Sequence, residues 1–477
     1  MSELLYPDFF NDVFGPIMQP GSAGGFAGPC RIGYISRHLI KSEPKRVQFT
    51  YKQGGLGLVN TVNFMGDYAI LGGVLGFQTD DERLFDAHNI ARNRGISYKF
   101  GEKDLKLDHE DYVRVDIEGT NGERGYLIAA STGGGMIKVY EANGTTLDWR
   151  GDKDLTLPDG IVFPAVLPVI TKDGKLPQLF TTCEEWRNAA KRENISFLEA
   201  AIKYEQRSSL WSEKEIWEFF EKIADILDKQ IHSLEDKGYD KAKDTPNLPI
   251  YGKLWNKYIS RGNTASDELT THIITHAMSV NAKIPGYKIV PAPMGTGGGY
   301  LFSAISAVAE KKNIPHKRVV ESLAIAAALG VIAFTRTRPT GRVGCVGESG
   351  VCCAMASGAI AYLLGGDDRA VENAASMALQ ANIGIPCDPI PGGKEFPCIT
   401  RTIRAAVTAP LYAELALCGI DPLIPYHEVL DVIEQTYLKQ PKESLCGNSC
   451  GCCLTPTAQI CRKNLEDANF QNLNFNF

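Results

Sequence analysis

The sequence predicts an α+β protein: a small N-terminal α/β domain followed by a larger, mainly helical one. Three observations predict it. RVQFTY (46–51), YVRVDI (112–117) and MIKVYEAN (136–143) alternate apolar with polar residues or concentrate β-branched and aromatic ones, as strands do. Further on, Ser212 opens a capping box with Glu215, and Ile216, Phe219, Phe220, Ile223, Leu227 and Ile231 follow on one helical face. Between the two halves, around 165–180, PAVLPVITKDGKLPQ is rich in proline and turn residues and reads as a linker. The expected domains are 1–170, 178–440 and a cysteine-rich tail, 441–477.

Within the first domain, DERLFDAHNIARNRG has helical spacing and stops on a glycine. In the second, SLAIAAALGVIAF (322–334) is too short and too rich in Ala and Gly for a membrane span and reads as a buried helix. Asp367 or Asp368 caps VENAASMALQANIG, where Ala374, Ala375, Ala378 and Leu379 form a narrow stripe that lets helices pack closely. No fixed-period repeat interrupts this pattern.

The 477 residues suffice for two cores, and 44% apolar with 22% charged residues is ordinary for a soluble globular chain. A formal charge of -6 without a dense Lys/Arg stripe argues against a nucleic-acid surface. MSELLYPDFFNDVF lacks the basic start and apolar run of an export signal, so the expected setting is cytoplasmic, with no membrane partner. There the 13 cysteines are reduced thiols, and metal binding is the natural use of several. Cys30, Cys183, Cys352, Cys353 and Cys418 read as small buried hydrophobes.

Three others sit beside glycine or proline: Cys345 in VGCVGESG, Cys387 in GIPCDPIPGG and Cys398 in EFPCITR. Bends of this kind let distant thiolates converge. The 41 residues between Cys345 and Cys387 do not fit the tight cysteine pairs of a closed zinc site. VGCVGESGVCCAMASGAIAYLLGG, VENAASMAL, GIPCDPIPGG and FPCITR together resemble the core of iron–sulfur L-serine dehydratases. GPIMQPGSAGGFAGPCRIG, LGFQTDDERLFDA and ASTGGGMIKVYEANG are similar to that family's small domain, so the resemblance spans nearly the whole chain. It implies that Cys345, Cys387 and Cys398 hold a [4Fe-4S] cluster. One iron is left open to polarise a β-leaving group, and no pyridoxal phosphate is needed. It also implies an amino-acid substrate and a homodimer, with a ligand or dimer role for the small domain.

The chain departs from the family pattern at substrate-handling positions. Where the family carries a Ser-Ser-Ser-His-Thr run, this chain has Ser22-Ala23-Gly24-Gly25-Phe26, so the family's candidate base falls on Gly25 and only Ser22 survives. The family's Thr-Asn-Gly-Ala-Ala-Gly becomes Met294-Gly295-Thr296-Gly297-Gly298-Gly299, a loop whose N–H groups are expected to cradle an anion. With Thr340 and Arg342, Thr296, Gly297 and Gly298 make the candidate substrate-binding set. Arg336, Arg338, Arg342, Arg401 and Arg404 imply either an anionic or bulky substrate or pairing with Asp388 and Glu348. Ser22, His272, His276 and Lys394 are candidate proton carriers, with Glu395 beside the last; His272 and His276 share a helix face as a metal pair would, without a third ligand in sequence. In the tail, Cys446, Cys450, Cys452, Cys453 and Cys461 offer a fourth cluster ligand or a separate metal site.

The function expected is a β-eliminating, L-serine-dehydratase-like lyase. A cysteine desulfidase that releases sulfide and a non-catalytic iron–sulfur sensor are the alternatives.

Overall fold

The computed structural model describes residues 6–53, 57–58, 61, 64–106, 111–169, 178–237, 251–282, 284–337, 339, 341–390, 396–439 and 451–472. They fall into two compact units. One comprises Pro16–Ile170, Pro391–Gly393 and Gln459–Phe477; the other comprises Met1–Gly15, Thr171–Ile390 and Lys394–Ala458.

In the first unit, among the described residues, one six-stranded sheet is built from β1 (Pro44–Lys52), β2 (Ser97–Lys103), β3 (Tyr112–Gly119), β4 (Arg124–Gly133), β5 (Met136–Ala142) and β6 (Thr145–Trp149). The order is β2-β1-β3-β4-β5-β6. β1 and β2 run parallel, while every other neighbour is antiparallel. Alternating burial along β3 leaves Val113, Val115 and Ile117 in the core, the period-2 pattern visible in sequence. α1 (Gly28–Arg37) packs on β4 and on α2 (Gly66–Val74). DERLFDAHNIARNRG forms a 3-10 turn, Glu82–Asp86, then α3 (Ala87–Asn93), and stops at Gly95 with φ +70°. β2, with its sequence SYKFGEK, carries no apolar alternation because it is an edge strand with only Phe100 buried.

The second unit is helical: α4 (Cys183–Glu193), α5 (Phe197–Ser209), α6 (Glu213–Ile231), α7 (Ser233–Lys237), α8 (Gly252–Ile259), α9 (Glu268–Ala282), α10 (Gly297–Lys312), α11 (His316–Arg336), α12 (Val351–Leu363), α13 (Asp368–Gln380), α14 (Cys398–Leu417) and α15 (Tyr426–Lys439). A last helix, α16 (Pro456–Asn472), belongs from Gln459 onward to the first unit. The Ser212–Glu215 capping box is formed, and Ile216, Phe220, Ile223, Leu227 and Ile231 are buried. Asp367, and not Asp368, caps α13 by accepting the Ala370 N–H at 2.8 Å. α12 is buried along almost its whole length and packs against α10, α11, α13 and α14, which its Ala, Ser and Gly residues permit. The opening residues belong here too. Phe9 stacks on Tyr204 at 5.8 Å, Phe10 meets Phe219 at 4.6 Å, and the Glu205 carboxylate accepts the Phe9 N–H at 2.7 Å.

The segment 322–334 lies within α11, which at 21 residues is longer than expected. By length and composition α11 and Val346–Leu363 could each cross a bilayer, yet 78% and 89% of their apolar windows are buried inside the protein. They are core helices of this unit.

Candidate active site

Cys345 precedes a short π-helical segment, Val346–Gly350, that runs into α12. Such π segments recur at functional sites because they re-aim side chains. Beside it lies the stretch carrying Cys387. The Val346 N–H points to Ile385 O at 3.4 Å, and a Cβ on Gly344, at φ +90°, would sit 2.5 Å from that same oxygen. Gly344 is therefore glycine for two reasons, its φ and the close approach. Cys398 begins α14, and one turn on, Arg401 donates to Pro386 O at 2.8 Å and to the Asp388 carboxylate at 2.5 Å. The Arg401 guanidinium also faces the Cys345 thiol. Arg401 thus links the segment that starts at Cys345, the strap that carries Cys387 and the helix start that carries Cys398. Burial pushes the Cys345 thiol up, and Glu348 adds to this, while Ser349 and Arg401 pull the other way.

Around them, the Cys352 thiol donates to Gly297 O at 3.3 Å. The hydroxyl of buried Tyr300 meets Thr402 and lies near Cys398 and Cys352. Glu348 retains some surface as a residue, but burial of its carboxyl pushes it up to about 7, opposed by a hydrogen bond from the Gly341 backbone. Read from sequence as an arginine partner, it carries the titratable carboxyl of this pocket. Only the fold, by burying it, reveals that property.

The arginines are largely engaged. Arg401 pairs with Asp388, Arg336 with Asp431 at 3.1 Å, and Arg404 donates to Asn382. These contacts account for three of the five without an anionic substrate. Arg338, Thr340, Lys394 and Glu395 lie outside the described residues, as does the side chain of Arg342.

In the glycine loop two N–H groups are already engaged. Gly297 N–H donates to Met294 O at 2.8 Å and Gly298 N–H to Val290 O at 3.1 Å, so neither is available to cradle an anion. A Cβ on either would fall 2.4 Å from Ala292 O or 2.3 Å from Val290 O. Close packing of α10 under the preceding segment is what demands these glycines. Thr296, buried, precedes the helix without capping it through its side chain.

In the first unit, Ser22 Oγ accepts the Gly25 N–H at 3.1 Å and caps a π-helical segment, Ala23–Ala27. A Cβ on Gly25 would lie 2.8 Å from Phe64 Cβ. The space a histidine at this position would need is filled by Phe64, which removes this position as a source of a base.

The tail reaches the second unit's cysteine strap. Gly451–Leu454 forms a 3-10 turn in which the Cys452 N–H donates to Asp388 Oδ2 at 2.7 Å and Cys453 is buried. Cys461 is half-buried on α16, and Cys446 and Cys450 lie outside the described residues. His272 and His276 share a face of α9, ring centroids 4.3 Å apart. They are not alone there: His232 and Glu310 complete a group that sequence spacing could not foresee.

The family model for the serine dehydratase alpha chain matches residues 192–446. The L-serine dehydratase of Streptomyces coelicolor is 30% identical over 366 residues, covering 72% of this chain and 76% of that protein. The alpha chain of the Peptoniphilus asaccharolyticus L-serine dehydratase is 27% identical over 258 residues, 53% of this chain and 86% of the relative. That organism's beta chain is 32% identical over 143 residues, 30% of this chain, and the match spans 63% of the beta chain, less than two thirds of its length. The chain therefore belongs to the L-serine dehydratase family and joins beta-chain-like and alpha-chain-like stretches in one polypeptide.

Proposed function

We infer that this protein is a β-eliminating lyase that deaminates serine or a serine-like amino acid to a 2-keto acid and ammonia in the cytoplasm, with a [4Fe-4S] cluster held by Cys345, Cys387 and Cys398. The observation that supports this reading is Arg401, which contacts Cys345 and both chain neighbours of Cys387 and lies one turn after Cys398. Thiols are the donor set such clusters take, and a guanidinium beside Cys345 favours its thiolate form, so the residues fit the group. When bound, the cluster supplies a Lewis acid for the β-leaving group.

The chain's own residues do the rest. Tyr300 and Cys352 pack the pocket on the α10 side, and the burial that raises Glu348 also limits water. Glu348 is the proposed acceptor of the substrate α-proton. Loss of that proton and of the β-hydroxyl leaves an enamine, which tautomerises to an imine and hydrolyses to keto acid and ammonia. The docked Cys452–Cys453 turn supports a tail thiol as an internal, displaceable ligand at the same site.

Turnover by the anaerobically purified protein on a panel of β-hydroxy and β-thio amino acids tests the reading. Keto acid and ammonia in equal amounts from serine are expected. Sulfide from cysteine with no pyruvate from serine would select the desulfidase, and no product from any member would leave the sensor. A base must be ionised to accept a proton, so kcat/KM is expected to rise with pH through about 7. In Glu348→Gln that limb should disappear; an unchanged profile would remove Glu348 from the role.

A further inference from the structure

His276 is 1% exposed, and neither of its ring nitrogens has a hydrogen-bond partner. A buried imidazole with two unsatisfied nitrogens is rare in a native interior, because such groups are normally paired with protein, water or an ion. What surrounds it is equally unusual. His232, just past the end of α6, and Glu310, in the last turns of α10, each place a ligand atom within 4.8 Å of the others in a set with His276. The imidazoles of His232 and His276 have centroids 5.0 Å apart. We propose that His232, His276 and Glu310 form a second metal site, separate from the cysteine pocket, that takes a divalent transition metal, zinc by its donor set.

The surrounding contacts prepare each donor. His232 Nδ1 lies 2.9 Å from Asp228 O, and a carbonyl can only accept, so the proton sits on Nδ1 and the Nε2 lone pair is left to ligate. Glu310 is oriented by Ser306 Oγ–H at 2.8 Å and by His272 Nε2 at 3.2 Å. Partners of this kind fix the orientation of metal-binding side chains. His272 is therefore an outer partner to the carboxylate, which explains why the chain carries two histidines on one face of α9. Two imidazoles and one carboxylate are a set zinc binds, and imidazole also suits nickel and copper. The ion would tie the end of α6 to α9 and α10, the helix whose first turn lies against Cys352.

Cobalt(II) titration of the anaerobic, cluster-loaded full-length protein tests this independently of turnover. One equivalent should bind with visible ligand-field bands and without sulfur-to-cobalt charge transfer, and zinc should displace it. His232→Gln and Glu310→Gln, both at partly exposed positions, should each weaken binding by at least about tenfold. His276→Phe should do the same, and the first two variants guard against misfolding of the third. Cobalt binding with only the sulfur signature, no binding at all, or undiminished affinity in both His232→Gln and Glu310→Gln would overturn the site.

Discussion

Cys345→Ser, Cys387→Ser and Cys398→Ser are each expected to lower turnover by about a thousandfold or more, because metal Lewis acids contribute several kcal/mol to such transition states. Their iron and sulfide content should fall in parallel. The expected contrast is with the other thiols. Cys183 is fully buried next to Arg187 and Glu372, and burial holds its thiol well above the usual range. Cys353 is also fully buried, its thiol pushed up to about 11 mainly by that burial, and its Sγ–H donates to Ala405 O at 3.3 Å. Serine at either position should cost stability through packing and leave iron content intact. The pair of measurements separates a ligand from a core residue, since both lose stability but only one loses iron. Full cluster and turnover in Cys345→Ser would sink the proposed centre.

The three cysteines were visible in sequence because turn residues mark them: Gly344, Pro386 and Pro397 each precede one. Helix starts were equally legible, since Ser212–Glu215 and Asp367 act through neighbours three residues away. What sequence hides is what depends on distant chain. Gly25 reads as the loss of a base, but what leaves no room for a side chain there, Phe64, comes from thirty-nine residues downstream (64 minus 25). Met294–Gly299 reads as an anion cradle, and the fold spends the Gly297 and Gly298 N–H groups on Met294 O and Val290 O. His272 and His276 announce a helix face, but His232 and Glu310 join them only once α6, α9 and α10 pack. Phe9 and Phe10 open the chain beside the sheet-forming region and pack instead with Tyr204, Phe219 and Phe220. Local chemistry is readable from local sequence, and partner identity is not.

Arg401→Met should destabilise the second unit by about 3 kcal/mol, the low end for breaking a buried ion pair because Arg401 keeps 17% of its side chain exposed. Asp388, at 2%, would be left charged and without its main partner. Burial alone would raise the Asp388 carboxyl; Arg401 and the Cys452 N–H overcome this and hold it below its ordinary value. In the wild type, then, this carboxylate's contribution is present above its unfolded pKa of about 3.9 and is lost as pH falls through the lower folded value. Removing Arg401 leaves burial dominant and reverses the sign. The folded Asp388 then holds its proton more tightly than the unfolded chain does, and stability falls as pH rises through its new pKa. The deficit of Arg401→Met should accordingly be smallest near pH 4 and largest near neutrality, in roughly the range the linkage sets. Asp388→Asn in the same chain should recover part of the loss, since the amide needs no counter-charge. Thermal unfolding of the three proteins at both pH values measures this. The Cys452 turn hangs on the same carboxylate, and Arg401 pulls the Cys452 thiol down against the upward push of burial and Asp388, so alkylation of Cys452 should become slower in Arg401→Met. An equal deficit at both pH values would mean that Arg401 acts through packing of its stem against Pro386 and not through its charge.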